Sequence, residues 1–166
     1  MIWFISDQHF YHEGIITSCR RPFKNVEEMN RELIGRCNAL VKPEDTVYHL
    51  GDFAYSASLE MFQPIMKELQ GQKHLILGNH DKFTAFEYVE LGFWMVHTAL
   101  ELKEIDAVLI HDPVASCINR HQLFICGHVH DFFTELKNVI NVGVEVRNYC
   151  PTSLDIINTL RSQMVF

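Results

Sequence analysis

The segment His74-Leu75-Ile76-Leu77-Gly78-Asn79-His80-Asp81 decides the reading of this chain. A short, mostly apolar strand runs into a glycine, and an amide, an imidazole and a carboxylate follow at once. Working outward, the same construction recurs. Upstream, Thr46 to Leu50 ends at Gly51-Asp52, and Ile2 to Ser6 ends at Asp7-Gln8-His9. Downstream, Ala107 to Ile110 ends at His111, and Leu123 to Cys126 ends at Gly127-His128-Val129-His130. Helix signals lie between the first strands. Asn25 with Glu28 forms a capping box ahead of Val26, Met29, Leu33, Cys37 and Leu40. Ser58 opens a second helix, with Leu59, Phe62, Ile65, Met66 and Leu69 on one face, Gly71 as its stop and Pro64 placed to kink it. A third runs from Thr84 to Leu91, with Gly92 past its end, and a sixth strand covers Val139 to Val146. Strand-helix alternation followed by several strands predicts an α/β fold, parallel in its centre with an antiparallel continuation. No linker interrupts the chain, so 1–166 reads as one domain.

The polar clusters share a location. In α/β sheets, ligands sit in the crevice at the carboxyl ends of the strands, and five segments deliver Asp, Asn or His there. Residues i and i+2 of an extended segment point the same way, so Asp7 with His9, and His128 with His130, can each grip one ion. Imidazole, carboxylate and amide oxygen without thiolate suit manganese, iron or zinc, and do not match a Cys-rich structural zinc site. Asp7, His9, Asp52, Asn79, His111, His128 and His130 are too many for one tetrahedral ion. They fit a pair of divalent ions sharing a carboxylate, which activates water and clamps the attacking and leaving oxygens.

The ordered blocks D-x-H, G-D, G-N-H-D, H and G-H-x-H, from Asp7 to His130, resemble the calcineurin-like metallophosphoesterases. Ser6 to His12 with Arg21-Pro22-Phe23 is similar to that superfamily's small single-domain bacterial and bacteriophage branch. The resemblance implies a β-sandwich of mixed parallel and antiparallel sheets flanked by helices. It implies two divalent ions, manganese foremost, with iron, zinc, nickel or magnesium as alternatives. Asp7, His9, Asp52 and His130 would hold the first ion. Asp52, Asn79, His111 and His128 would hold the second, with Asp52 bridging. A hydroxide shared by the ions would attack phosphorus, while His80 binds the phosphate and protonates the leaving alkoxide. Asp81 would orient His80 and raise its pKa.

Other residues keep two readings. His12 is either a contact to substrate phosphate or an ordinary loop residue. Arg20 and Arg21 are either a phosphate clamp or solvated charges before a turn. His49 reads as a hydrogen-bonded core residue, and His74, His97 and His121 as surface. Asn141-Val142-Gly143 reads either as plain strand or as a neighbour of the site. Of 166 residues, 48 % are hydrophobic, and a net charge of −7 excludes binding to nucleic acid or anionic membrane through bulk charge. No apolar run is long enough to span a membrane. Five cysteines without a CxxC pair suggest free thiols in a reducing cytoplasm. The expected substrate is a phosphodiester related to a nucleotide, a cyclic nucleotide or a nucleic-acid end, and a homodimer is the default assembly. The alternatives are a phosphomonoesterase or a silent binding module on the same fold.

Overall fold

The computed structural model describes every residue except 57, 118, 120, 121, 165 and 166, and leaves out the side chains of 115 and 117. The expectations for His121 and for the thiol of Cys117 therefore fall outside the described residues. Elements follow in chain order as β1 (Ile2–Ile5), α1 (Glu13–Ser18), α2 (Val26–Asn38), β2 (Thr46–His49), α3 (Gln63–Glu68), β3 (Gln72–Ile76), α4 (Ala85–Leu91), β4 (Met95–His97), β5 (Leu100–Leu102), β6 (Ala107–Leu109), β7 (Leu123–Cys126), β8 (Glu135–Leu136), β9 (Val139–Asn141), β10 (Thr152–Ser153) and α5 (Leu154–Gln163).

Among the described residues, ten strands form two five-stranded sheets, ordered β10-β1-β2-β3-β4 and β5-β6-β7-β9-β8. The inner pairings β1-β2, β2-β3 and β3-β4 are parallel, as are β6-β7 and β7-β9. β10, β5 and β8 add antiparallel edges. The mixed sandwich flanked by helices is thus the expected fold. Successive strand residues face opposite ways, and that alternation divides the core. Trp3, Ile5, Val47 and Leu75 pack on Met29 and Leu33 of α2 and on Ile65 of α3. Phe4, Leu50 and Ile76 face Leu109, Ile125 and Ile140 of the other sheet. The sheets are joined at one edge, where Ser6 donates to the Val142 carbonyl at 3.1 Å and accepts from Val144 at the same distance.

Local chemistry explains most boundaries. Asn25 accepts from Glu28 N, but the Glu28 carboxylate reaches past the cap to Lys24 N at 2.6 Å. Thr84 and Glu87 complete a reciprocal capping box on α4, and Gly92 ends it at φ +123°. The helix expected from Ser58 is different in form. Residues Leu59–Phe62 make a 3₁₀ turn and only then does α3 begin, so Pro64 sits in the first helical turn, where its missing N–H costs nothing, and not at a mid-helix kink. Ser58 makes no capping bond. The strand expected to reach Val146 stops at Asn141, because Asn141 turns its side chain onto Gly143 N and the next residues pair with Ser6. The sequence reading did not find α5, whose Ile157 seals the inter-sheet core. Among the described residues no helix is long and apolar enough to cross a membrane, and Cys19, Cys37, Cys126 and Cys150 are free thiols.

Candidate metal centre

All five polar clusters arrive at the joined edge of the two sheets. They do so through unusual backbone. Asp7, His9, Asp52, His128 and His130 all have positive φ, from +46° to +70°. Side chains rarely adopt that region, and it persists where the surroundings over-determine it, typically at functional sites. Two glycines permit the close approach. A Cβ on Gly127 would lie 1.8 Å from Ser6 Oγ, and one on Gly51 would lie 2.4 Å from His111 Nδ1.

The donors form two neighbouring groups. Ligand atoms of Asp7, His9 and His130 lie within 4.8 Å of one another, as do those of Asp7, Asp52 and His111. Asp52 Oδ2 stands between two imidazoles, 3.4 Å from His9 Nε2 and 3.5 Å from His111 Nε2. Asn79 Oδ1 is 3.1 Å from His111 Nε2 and 2.9 Å from His128 Nδ1. Atoms bound to one ion at roughly 2.0–2.2 Å stand about 3–3.5 Å apart, which these gaps match. Further hydrogen bonds aim the donors. Asp7 accepts from His128 N through both oxygens, at 3.0 and 3.1 Å, tying the first sheet to the second. Asp52 Oδ1 accepts from His80 N at 2.8 Å, leaving Oδ2 for the centre. His111 Nδ1 lies 2.7 Å from the Leu50 carbonyl, so it donates there and turns Nε2 towards Asp52 and Asn79. His130 Nδ1 likewise lies 3.0 Å from Glu145 Oε1.

Buried electrostatics point to a cation. His9 Nε2 is buried with no hydrogen-bond partner and faces Asp52. Burial pushes the Asp7 carboxyl up to about 6 and the His9 imidazole down to about 4. Burial would also raise Asp52, but the flanking His111 and His9 imidazoles and the His80 backbone N–H overcome it and hold this carboxyl far below its usual range. Burial opposes charging His111, yet the Asp52 hydrogen bond, the charges of Asp7 and Asp52 and the Leu50 carbonyl together outweigh it and lift His111 to about 9. Two buried carboxylates, an unpartnered imidazole nitrogen and converging imidazole and amide groups make a pocket suited to a cation. The residues fit a pair of divalent ions.

The other expected residues sort differently. The His80 ring lies 5.2 Å from that of His9, beside the donor groups. Asp81 does not pair with the His80 imidazole. Its carboxylate accepts from the backbone N–H groups of Asp52, Phe53 and Gly78 at 2.8–3.1 Å, locking the 78–81 loop to the 51–53 loop. The expected orienting contact is thus replaced by a loop clamp. Arg21 is buried, and it donates to Glu145, to the Asp7 carbonyl (2.6 Å) and to the Gln8 carbonyl (2.8 Å). It is neither a phosphate clamp nor a solvated charge, since it holds the loop that carries Asp7 and His9 from behind. Arg20 is exposed with φ +50°. His12 stacks on Tyr55 and lies 3.2 Å from His9, Nδ1 to Nδ1. His49 is buried as expected, with Gln8 Nε2 2.6 Å from its Nδ1, whereas His74 and His97 are only partly exposed and stack on each other at 6.4 Å. Asn141 does neighbour the site, donating to the His130 and Phe133 carbonyls at 2.8 Å.

Two residues escaped sequence reasoning. Glu145 is a buried carboxylate between Arg21 and His130, and these partners hold it below its usual range against the opposing effect of burial. Cys19 Sγ lies within 4.8 Å of ligand atoms of His130 and Glu145, with burial raising its thiol pKa and keeping it protonated. Neither belongs to a spaced motif, and a lone Glu in Val-Gly-Val-Glu-Val gives no signal.

Known proteins similar to this chain point to one family. The calcineurin-like phosphoesterase superfamily domain matches residues 1–148. An uncharacterised protein of Methanocaldococcus jannaschii is 39 % identical, with 94 % of this chain and 88 % of that protein aligned. The gene 66 protein of Mycobacterium phage L5 is 33 % identical over 81 residues, 48 % of this chain and 39 % of its own. A crystal structure of an Aquifex aeolicus protein of unknown function superposes with a TM-score of 0.75 at 31 % identity, covering 96 % of this chain and 98 % of its own.

Proposed function

The chain belongs to the calcineurin-like phosphoesterase superfamily, and on that premise we propose that it is a dinuclear metal-dependent phosphoester hydrolase that prefers diesters. One observation carries the reading. Asp52 Oδ2 sits between His9 and His111, where one carboxylate serves two groups of donors. Asp7, His9, Asp52 and His130 would hold one ion, and Asp52, Asn79, His111 and His128 the other. Manganese suits this mixture of imidazole, carboxylate and amide oxygen. When bound, the two ions supply an activated water and neutralise the phosphoryl oxygens.

The protein's own groups do the rest. Asp7 and Asp52 provide the negative charge that retains the ions, and the imidazoles add donors without further charge. The site then stays net positive despite the chain's −7, so an anionic phosphoester is attracted locally. His80 belongs to neither donor group, and its ring is free to donate a proton to the phosphoryl or leaving oxygen. Asp81 and Arg21 keep the surrounding loops in register. Asn79 and His128 are exposed at this edge, and an open edge is the feature that favours diesters over monoesters.

The test is hydrolysis of bis(p-nitrophenyl) phosphate and of the monoester under Mn²⁺, by the wild type and by His80→Ala. The expected result is diester turnover, with kcat in His80→Ala lower by about 10²–10³-fold at undiminished metal content. Full activity in His80→Ala would refute the assigned role of this imidazole. Turnover of the monoester alone would move the reading to a phosphomonoesterase.

A further inference from the structure

We propose that Tyr55, backed by His12, forms a subsite for a planar aromatic group of the substrate, namely the base of a nucleoside phosphate. This rests on the phosphoester-hydrolase reading above and names the substrate class for that site. Tyr55 leaves 47 % of its surface exposed, although it follows directly on the buried Phe53 and Ala54. Its backbone is fixed, with Tyr55 N donating to the Phe10 carbonyl at 2.8 Å. Its ring is fixed as well, stacked on His12 with centroids 4.3 Å apart and planes 18° apart. His12 in turn is anchored through its 3.2 Å contact with His9. The same tyrosine stands edge-on to His80 at 5.8 Å, and His80 lies 5.2 Å from His9. Four rings therefore run without a break from the candidate metal centre to solvent.

That arrangement specifies the chemistry of the group it would receive. The phosphoryl group is anchored at the metal edge, and the ester oxygen that leaves must lie beside His80. Whatever is carried on the near side of that ester then passes across Tyr55. A pre-ordered, half-exposed aromatic ring loses little entropy on stacking and offers a π-face to any base. The imidazoles around it are polar, which disfavours an aliphatic chain and suits a heterocycle that brings its own donors and acceptors. The ribose between phosphate and base is the spacer that links the two ends.

The experiment is calorimetric titration of Mn²⁺-loaded wild type, Tyr55→Ala and Tyr55→Phe with adenosine 5′-monophosphate and with ribose 5-phosphate. The wild type should bind the nucleotide at least about tenfold more tightly than the sugar phosphate, since stacking on an aromatic contributes about 1–3 kcal/mol. Tyr55→Ala should abolish that preference, while Tyr55→Phe should keep it. The subsite is overturned if the wild type shows no preference, whether through equal binding or no binding. It is equally overturned if Tyr55→Ala retains the preference. Binding needs no turnover, so a failure to hydrolyse bis(p-nitrophenyl) phosphate would count against the hydrolase reading alone.

Discussion

The two sheets meet at one edge and equip it in opposite ways. The strands β1, β2 and β3 deliver both fully buried carboxylates, Asp7 and Asp52, on residues with positive φ. Their loops are clamped to one another by backbone N–H groups that donate to the Asp81 and Asp52 carboxylates. The segments after β6 and β7 deliver only imidazoles, His111, His128 and His130, and two of these are aimed by buried acceptors, the Leu50 carbonyl and Glu145. One half thus supplies the carboxylates and a rigid frame, and the other supplies imidazoles whose direction depends on a partner. The difference teaches that equal membership in the donor set does not mean equal consequence. Removing charge should abolish the centre, whereas removing an orienting partner should loosen it.

The largest effect is expected at the charged half. Asp52→Asn keeps the shape of the side chain but removes the charge that both donor groups share. A loss of several kcal/mol of charge stabilisation corresponds to about 10⁴-fold in kcat/KM. Manganese content should fall below two ions per chain. Measuring turnover and metal stoichiometry together decides the matter, and a variant that keeps both ions and a tenth of the activity would remove Asp52 from the shared position.

The orienting half should respond more gently. Glu145→Gln leaves an acceptor beside His130 but neither charges it nor matches Arg21. Partners of this kind typically contribute about 10–100-fold to metal affinity or activity. The expected signature is a weaker apparent affinity for Mn²⁺ with most of the activity restored at saturating metal. Unchanged Mn²⁺ affinity in a titration of activity would show that Glu145 serves only Arg21, and the contrast between the halves would then narrow.

Legibility in the sequence follows the same division. The charged half was readable because its residues fall at fixed spacings after apolar strands, although Asp7 and His9 come together through left-handed backbone and not through the alternation of an extended segment. His111, His128 and His130 were readable for the same reason. What aims them was not, because Glu145 and the Leu50 carbonyl are far away in sequence and carry no spacing. Arg21 was visible as a charge, but its direction was set by the buried carbonyls of Asp7 and Gln8, which only the folded chain brings near. Asp81 was visible as a neighbour of His80, yet three backbone N–H groups outcompeted that single imidazole. The short edge strands β4, β5, β8 and β10 escaped because two or three residues carry too little periodicity to register.

His49 offers the smallest test, and it probes the frame beneath the charged half. This ring is buried against Phe53 and Phe93, with Gln8 Nε2 2.6 Å from its Nδ1, and Gln8 lies between Asp7 and His9. Burial, aided by Lys73 and His74, lowers its pKa to about 3. The folded protein therefore keeps His49 neutral, whereas the unfolded chain takes up a proton below about 6.5. With the folded value depressed, the unfolded state binds more protons between those limits, so stability falls as pH drops from about 6.5 towards 3. Between pH 7.5 and 5.0 this group alone should remove about 2 kcal/mol. Burial likewise depresses His9, and Asp7 and His111 are raised, so the wild-type profile mixes several groups. The difference between wild type and His49→Gln isolates the one of interest. Denaturant unfolding at the two pH values should show His49→Gln less stable at pH 7.5 but losing about 2 kcal/mol less on acidification. Equal losses in both proteins would mean that His49 carries its proton in the fold, and that the metal-edge loop rests on a charged support and not on a neutral one.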